Sequence, residues 1–376
     1  MDLPLNAIRD LTSAIGFALI SALVSFAWAP FLINFLYKHK IIRQSKYDPT
    51  LSIESRKDKA NVPVMGGLLI IVTVAVLTVL FNWSRTYTWV PIGVMVLSAA
   101  LGGVDDLLNI FGTKRRFRSV AQTVTLAKVH KSGWVRFYLW LTIPWVAFRR
   151  AVSVLGSNPG TGVHVHEKLL LQFAAGGMTA WWIFWKLGER WQSIDIPFAG
   201  AVDISWLIVP LIIFLVVFTA NAVNIADGMD GLAGGMLIPT FAALSALSWF
   251  SGSRELALLN ATIVGSLIAY TYFNIKPARF QMGDVGSLGL GALLAINAIA
   301  INQFIPLLLL GFMFYVEACT VLIQLAGRVI LGRRVFKMAP IHHHFELKGW
   351  SEEKTIMRFW IVHLVFVILG VWLALH

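Results

Sequence analysis

Five aspartates stand where an otherwise apolar chain turns polar. Asp105 and Asp106 follow directly on the run from Val94 to Val104, Asp227 and Asp230 lie in Asn221-Ala-Val-Asn224-Ile-Ala-Asp227-Gly-Met-Asp230, and Asp284 sits in Gly283-Asp284-Val285-Gly286-Ser287. Carboxylates at the border of an apolar run are costly there, so they mark a metal, a substrate or a proton path more often than packing. A single acid could simply be a helix end meeting headgroup water, but an adjacent pair is harder to explain that way. The side chains of Asn221, Asn224, Asp227 and Asp230 recur every third residue. In a helix they form one slowly drifting stripe, and if a loop begins at Gly228 they converge from a helix end. Either arrangement collects amide and carboxylate oxygens suited to a hard cation or to a ribose and base edge, a structural polar stripe being the plainer alternative. Glycines flanking Asp284 permit close backbone approach, and a helix starting near Ser287 would offer free N–H groups to phosphate. Further along, His342, His343 and His344 are consecutive. Consecutive residues point in different directions and make a poor zinc site, so a role as donors to a diphosphate fits better beside the aspartates.

The elements that must position these groups are membrane spans. The chain has 376 residues, of which 57% are hydrophobic and 13% charged, with mean hydropathy +0.73; this excludes a soluble domain of its size. Segments long enough to cross about 30 Å of hydrocarbon fall near 11–36, 64–82, 88–108, 168–188, 204–221, 232–251, 256–273, 287–303, 304–330 and 357–375. These spans predict an all-α polytopic membrane protein of ten helices, a single membrane domain over 1–376 with both termini on one side. The opposite loops hold 23 of the 31 Lys and Arg residues and every motif named above, which places them in the cytoplasm and the termini outside. The net charge of +12 therefore belongs with the bilayer, and no nucleic-acid partner is expected. Cys319 is the single cysteine and lies in an apolar run, so neither a disulfide framework nor a Cys-rich metal site is available. The first apolar run lacks a basic leader and cleavage site and is read as a retained span. A transporter would carry its acids near mid-membrane between broken helices; here they lie at one edge, and their company of Lys and His also argues against a non-catalytic scaffold.

Residues 113–165 are unusual. Lys114, Arg115, Arg116 and Arg118 precede an aromatic run from Trp134 to Phe148 that is flanked by Arg136, Arg149 and Arg150. A run of that length is short for a span, and its composition suggests a basic, Trp-containing cytoplasmic insertion with an interfacial helix, or else a solvated insertion packed on the protein.

Taken together, Pro63-Val64-Met65-Gly66-Gly67, Asp105-Asp106, Asn221 to Ala233, Asn274 to Leu288, and Met338 to Trp350 with Arg358-Phe359-Trp360 closely resemble the phospho-N-acetylmuramoyl-pentapeptide transferase family, within the polyprenyl-phosphate N-acetylhexosamine-1-phosphate transferases. The triple-His loop is the most specific piece, because the wider superfamily shares the Asp motifs and generally lacks it. The resemblance implies a ten-helix, homodimeric enzyme of the bacterial inner membrane. Such an enzyme moves phospho-MurNAc-pentapeptide from UDP to undecaprenyl phosphate with Mg²⁺ and releases UMP. By matched position, Asp284 is the expected Mg²⁺ ligand, with Asp227 near the metal and nucleotide. Asp105 is the expected base toward the lipid phosphate, and Asp106 and Asp230 line the site. Asn221 and Asn224 belong to the nucleotide side and Asn274 lies near the uridine pocket. His343, with His342 and His344, would serve the diphosphate, and Lys59 and Lys168 would hold phosphates. Direct attack by the lipid phosphate is preferred over a route through an aspartyl phosphate. A sister enzyme moving GlcNAc-1-phosphate to the same lipid is the alternative, against which the triple-His loop argues. Three positions depart from the family pattern. Asn61-Val62-Pro63-Val64 replaces Gly-Thr-Pro-Thr, Asn109 replaces a Lys and Gln281 a Phe. The expectation is a changed nucleotide pocket in which Phe280 or Gln281 contacts uracil and Lys114 makes up the lost charge.

Overall fold

In hydrocarbon every backbone N–H and C=O must be satisfied within the protein, so long apolar runs become helices. The computed structural model describes residues 5–42, 61–112, 118–153, 163, 165–187 and 193–376. In chain order the helices are α1 (Leu5–Lys38), α2 (Leu68–Phe81), α3 (Trp89–Phe111), α4 (Val120–Val129), α5 (Gly133–Ser153), α6 (Val165–Trp181), α7 (Ile208–Ala226), α8 (Leu232–Phe250), α9 (Arg254–Asn274), α10 (Gly283–Ala300), α11 (Phe304–Leu310), α12 (Phe312–Ile330), α13 (Ile341–Glu346) and α14 (Glu352–Ala374). The protein is all-α and polytopic. Among the described residues, α1, α3, α8, α9, α10, α12, α14 and the stretch Ser205–Ala226 ending in α7 are long and apolar enough to cross a membrane. Of the remaining expected spans, 64–82 yields the 14-residue α2, and 168–188 lies in α6 and the π-helical turn Trp182–Lys186 that continues it.

Four differences from the sequence reading are physical. The expected span 304–330 is interrupted at Gly311, whose backbone leaves helical geometry between α11 and α12. The connection before α7 contains a small antiparallel hairpin, β1 (Ser193–Ile196) with β2 (Gly200–Asp203), in register Ser193 to Asp203, closed by left-handed Phe198 and Gly200. The described part of the insertion holds two helices: α4 begins with a capping box in which Ser119 and Gln122 exchange hydrogen bonds, and α5 runs for 21 residues. Lastly, α10 starts at Gly283 and not near Ser287, which brings Asp284 into its first turn.

The centre of the fold is α10, all of whose residues are buried. Its glycines and alanines let α3 and α7 pack along it closely, as small residues do between helices in lipid. The three elements that carry Asp105, Asn224 and Asp284 are thus neighbours because α10 is thin.

Candidate active site

Asp284 owes its place to backbone. Gly283 holds φ +72°, a conformation side-chained residues rarely adopt, and this bend admits the chain to α10. The loop before it is clipped to the segment preceding α2: Gln281 N donates to Pro63 O at 2.8 Å, Gly66 N to Gln281 O at 2.7 Å and Gly67 N to Met282 O at 2.9 Å. Pro63 to Gly67 is therefore a brace for the Gly-Asp loop. On the other side, α3 crosses at Gly102, where a Cβ would fall on the Asp284 carbonyl and 2.6 Å from Val285 N. The Val285 N–H, freed at the start of α10, donates to Asp106 Oδ2 at 3.2 Å.

Around Asp284 the side chains converge from three helices. Lys168 of α6 pairs with Asp105 Oδ2 and with Asp284 Oδ2, the latter at 2.7 Å. Asn224 Nδ2 donates to Asp284 Oδ1 at 2.9 Å and to Ser287 Oγ at 2.8 Å. Asp105 Oδ1 accepts from Val163 N at 2.6 Å. One ammonium is thus held between two buried carboxylates whose remaining oxygens are already engaged. This donor set also fits a hard cation, which needs charged oxygens from the protein and completes its shell elsewhere. Among the described residues no three His, Cys, Asp or Glu side chains gather closely enough to hold a metal unaided. Mg²⁺ ordinarily takes one or two carboxylates together with phosphate oxygens and water, and Asp284 with Asp105, which already share one cation, can supply that share.

A second cluster adjoins the first through the end of α7. Asn224 O accepts from Asp227 N at 3.3 Å, and the ring of His342 lies against Gly228, the next residue. His342 Nδ1 meets Glu317 Oε2 at 3.0 Å, His342 Nε2 faces His343 Nε2 at 3.2 Å, and His343 Nδ1 meets Glu346 Oε2 at 2.7 Å. His344 points elsewhere: its Nδ1 accepts from Lys337 N at 3.1 Å, and partial burial followed by the charges of Lys348 and Lys337 depresses its pKa. Asp230 N donates to Glu352 Oε1 at 3.3 Å, and Lys276 Nζ stands 3.3 Å from Glu352 Oε2 and 2.9 Å from Glu353 Oε1. Burial opposes the Lys276 charge, but Glu353 and Glu352 outweigh it and raise its pKa. The stretch after the histidines is fastened to α14 by Phe345 stacked 4.5 Å from Trp350 and by the Arg358 guanidinium 4.4 Å over the same ring.

The structure therefore brings Asp105, Asp284, Lys168 and Asn224 together, with Asp106 on the adjoining backbone and Asp227, His342 and His343 one step away. It gives other work to several expected residues. Asn274 Oδ1 accepts from Gly231 N at 2.8 Å and its Nδ2 donates to Phe280 O at 2.9 Å, so the amide joins two loops. Asn221 exchanges hydrogen bonds with Gln172, 2.9 Å in the shorter direction, and ties α7 to α6. Phe280 is completely buried and cannot touch a nucleotide; Gln281 is half-buried and remains accessible. Lys59 and Lys114 lie outside the described residues. Glu317 was missed by sequence reading, although an acid in the apolar helix α12 was a signal of the same kind as Asp105. Val163 could not have been found, because it contributes only its backbone.

Buried acids gathered between membrane-length helices mark a candidate active site, and comparison with known proteins gives its class, a membrane transferase of phosphorylated sugars. The family model described as glycosyl transferase family 4 matches residues 160–302, which include Lys168, Asn224, Asp227 and Asp284. Proteins named phospho-N-acetylmuramoyl-pentapeptide-transferase align along nearly the whole chain. The one from Chloroflexus aggregans is 35% identical over 98% of this chain and 91% of its own length. That from Chloroflexus aurantiacus is 33% identical over the same shares, and that from Levilactobacillus brevis 32% identical over 94% of this chain and 96% of its own. The chain belongs to the phospho-N-acetylmuramoyl-pentapeptide-transferase family.

Proposed function

We propose that this protein transfers phospho-N-acetylmuramoyl-pentapeptide from its UDP carrier to undecaprenyl phosphate with the aid of Mg²⁺, at the cytoplasmic face of a bacterial inner membrane and as a homodimer. The observation that carries the reading is Lys168 held between Asp105 and Asp284 beside Asn224, in a chain of this family. An oxygen of the lipid phosphate attacks the sugar-bearing phosphorus. The bond from that phosphorus to the bridging oxygen breaks, UMP leaves with the electron pair, and a new diphosphate links sugar and lipid. Such transfer asks the protein mainly for in-line positioning and positive charge against oxyanions.

In this reading Asp284, with Asp227, would hold Mg²⁺, which neutralises diphosphate charge when bound. Lys168, held between Asp105 and Asp284, would donate to a phosphate oxygen. Asp105 takes any proton carried by the lipid phosphate, and Asp106 fixes the first turn of α10 through Val285. His342 and His343, oriented by Glu317 and Glu346, donate to the diphosphate from the side of α13. Asn224 holds Asp284 in place, Asp230 and Glu352 shape the loop before α8, and Gln281 borders the nucleotide. An apolar recess of about 410 Å³ lined by Met313, Phe345, Trp350 and Phe359 adjoins α13 and suits part of a polyprenyl tail.

The test is UMP release by purified protein given undecaprenyl phosphate, UDP-MurNAc-pentapeptide and Mg²⁺, with Asp284→Asn and UDP-GlcNAc in parallel. Metal-dependent turnover of the muramoyl donor that collapses in the variant is expected. Turnover with UDP-GlcNAc alone would overturn the assignment of the sugar, and no turnover with either donor would overturn the activity.

A further inference from the structure

The helix pair α4 and α5 supplies none of the side chains at the site, yet it carries a dense exposed aromatic surface. On α5 the residues Val135, Leu139, Thr142, Ile143 and Val146 form the covered stripe, at helical spacing, against α4 and α6. Roughly opposite, within about 100° of arc, run Trp134, Phe137, Tyr138, Leu141, Trp145 and Phe148. All six are exposed, Trp134 by 79% and Leu141 by 68%. Soluble surfaces seldom leave such a stripe open.

Charge decides what covers it. Between Asp106 and Glu167 the sequence contains nine Lys or Arg residues and no Asp or Glu. Of these, Arg118, Lys128, Lys131 and Arg136 are exposed on the described part of the pair. A basic, acid-free surface is complementary to anionic headgroups. Trp and Tyr are the aromatic side chains that settle at the boundary between headgroup and acyl chain. Arg136 within it, Arg149 and Arg150 near its end, and an apolar content below that of the membrane-length helices keep α5 out of the bilayer core.

We propose that α4 and α5 form a docking surface for anionic phospholipid, with the Trp134–Phe148 face entering the interface and the basic residues reading headgroup charge. The surface is anchored where it matters to the chain: Trp145 meets His166 edge-on at 5.6 Å, two residues before Lys168, and Val163 just beyond the pair donates to Asp105.

The test reads position and not turnover. In a Cys319→Ser background, Leu141→Cys is labelled with an environment-sensitive fluorophore and the protein is reconstituted in phosphatidylcholine vesicles with and without phosphatidylglycerol. The expected result is a blue-shifted emission quenched by doxyl-labelled lipid, at least twofold more strongly in the anionic vesicles. Replacing Lys128, Lys131 and Arg136 by Gln removes three charges, each worth roughly a fivefold bias toward an anionic surface, and is expected to abolish that difference. Trp134→Cys serves as a second reporter should Leu141→Cys fail to fold. Emission typical of water in both vesicles would overturn the proposal, as would shielding without lipid quenching that grows with protein density, the mark of a second copy. A few per cent undecaprenyl phosphate in phosphatidylcholine that fully replaces phosphatidylglycerol would also overturn it in favour of the substrate lipid.

Discussion

Gly102→Ala is expected to disable the site without touching any group that does chemistry. The new Cβ would sit on the Asp284 carbonyl and 2.6 Å from Val285 N, where ordinary contact needs about 3.4 Å or more. Both atoms are backbone, so α3 and α10 must part by roughly 1 Å. That motion would stretch the Lys168–Asp284 pair beyond its 2.7 Å and the Asn224–Asp284 bond beyond its 2.9 Å, to the limit of hydrogen bonding. A misplacement of this size costs about a hundredfold in turnover, or about 2.7 kcal/mol of barrier. Overpacking of the same kind takes roughly 1–3 kcal/mol from stability. The assay is UMP release at saturating substrates, with thermal unfolding in detergent alongside. Gly103→Ala is the control, one residue on, since its Cβ would meet only Met65 and Val285 side chains at 3.5 Å and beyond. Turnover of Gly102→Ala within threefold of wild type, or an equal loss in Gly103→Ala, would refute the idea that close backbone approach places Asp284.

Other expectations follow from the same geometry. Lys168→Met leaves Asp105 and Asp284 facing each other without their shared cation, and turnover is expected to fall about 10²–10³-fold with partial recovery in Lys168→Arg; a loss under tenfold would sink the role. Glu317→Gln replaces the charged partner of His342 and should slow turnover roughly ten- to hundredfold while leaving the thermal midpoint nearly unchanged, which steady-state kinetics and unfolding scans together check. Asn274→Ala strands two buried backbone groups at about 1–3 kcal/mol each, so a clear drop in thermal midpoint is expected, and an unchanged midpoint would contradict the reading of Asn274 as a loop tie. His344 has a folded pKa below its ordinary 6.5, so its contribution to stability is complete above that value and is lost as pH falls through the folded one; protonation removes the acceptor for Lys337 N–H. The protection of the Lys337 amide, measured as its exchange rate relative to the intrinsic rate at each pH, should therefore fall between pH 7.5 and pH 5, and in His344→Phe it should be low at both.

The aspartates were legible because lipid makes acids conspicuous. Each of the five stood out against an apolar neighbourhood, and the structure sets Asp105 and Asp284 on a common ammonium. Lys168 had no such signal, since one Lys at the head of a span is ordinary, and only the family resemblance pointed to it. The start of α10 was misjudged by one turn because Gly-Asp-Val-Gly reads as a loop, whereas Gly283 is the bend and Gly286 already lies within the helix. Asn274 and Asn221 stood out as polar residues at span ends, but the partners they bond, backbone in two loops and Gln172 of α6, depend on what lies opposite and not on residue type. Of the two alternatives for the uracil contact, Phe280 is core, packed against Gly66, which leaves Gln281. The aromatic and basic composition of 113–165 announced an amphipathic element, though not that it would be two helices.

The seclusion of α10 has an electrostatic consequence. A helix carries about half a positive charge at its N-terminus, and water normally mutes it within a turn or so. Here all 18 residues are packed away from solvent, so the field of the helix reaches its first turn through protein and not through electrolyte. Counterions collect only in water, where they shorten the range of surface charges to about 10 Å at 0.1 M. The hold of this helix end on the carboxylates of Asp284 and Asp106 should accordingly persist at ionic strengths that silence the surface lysines.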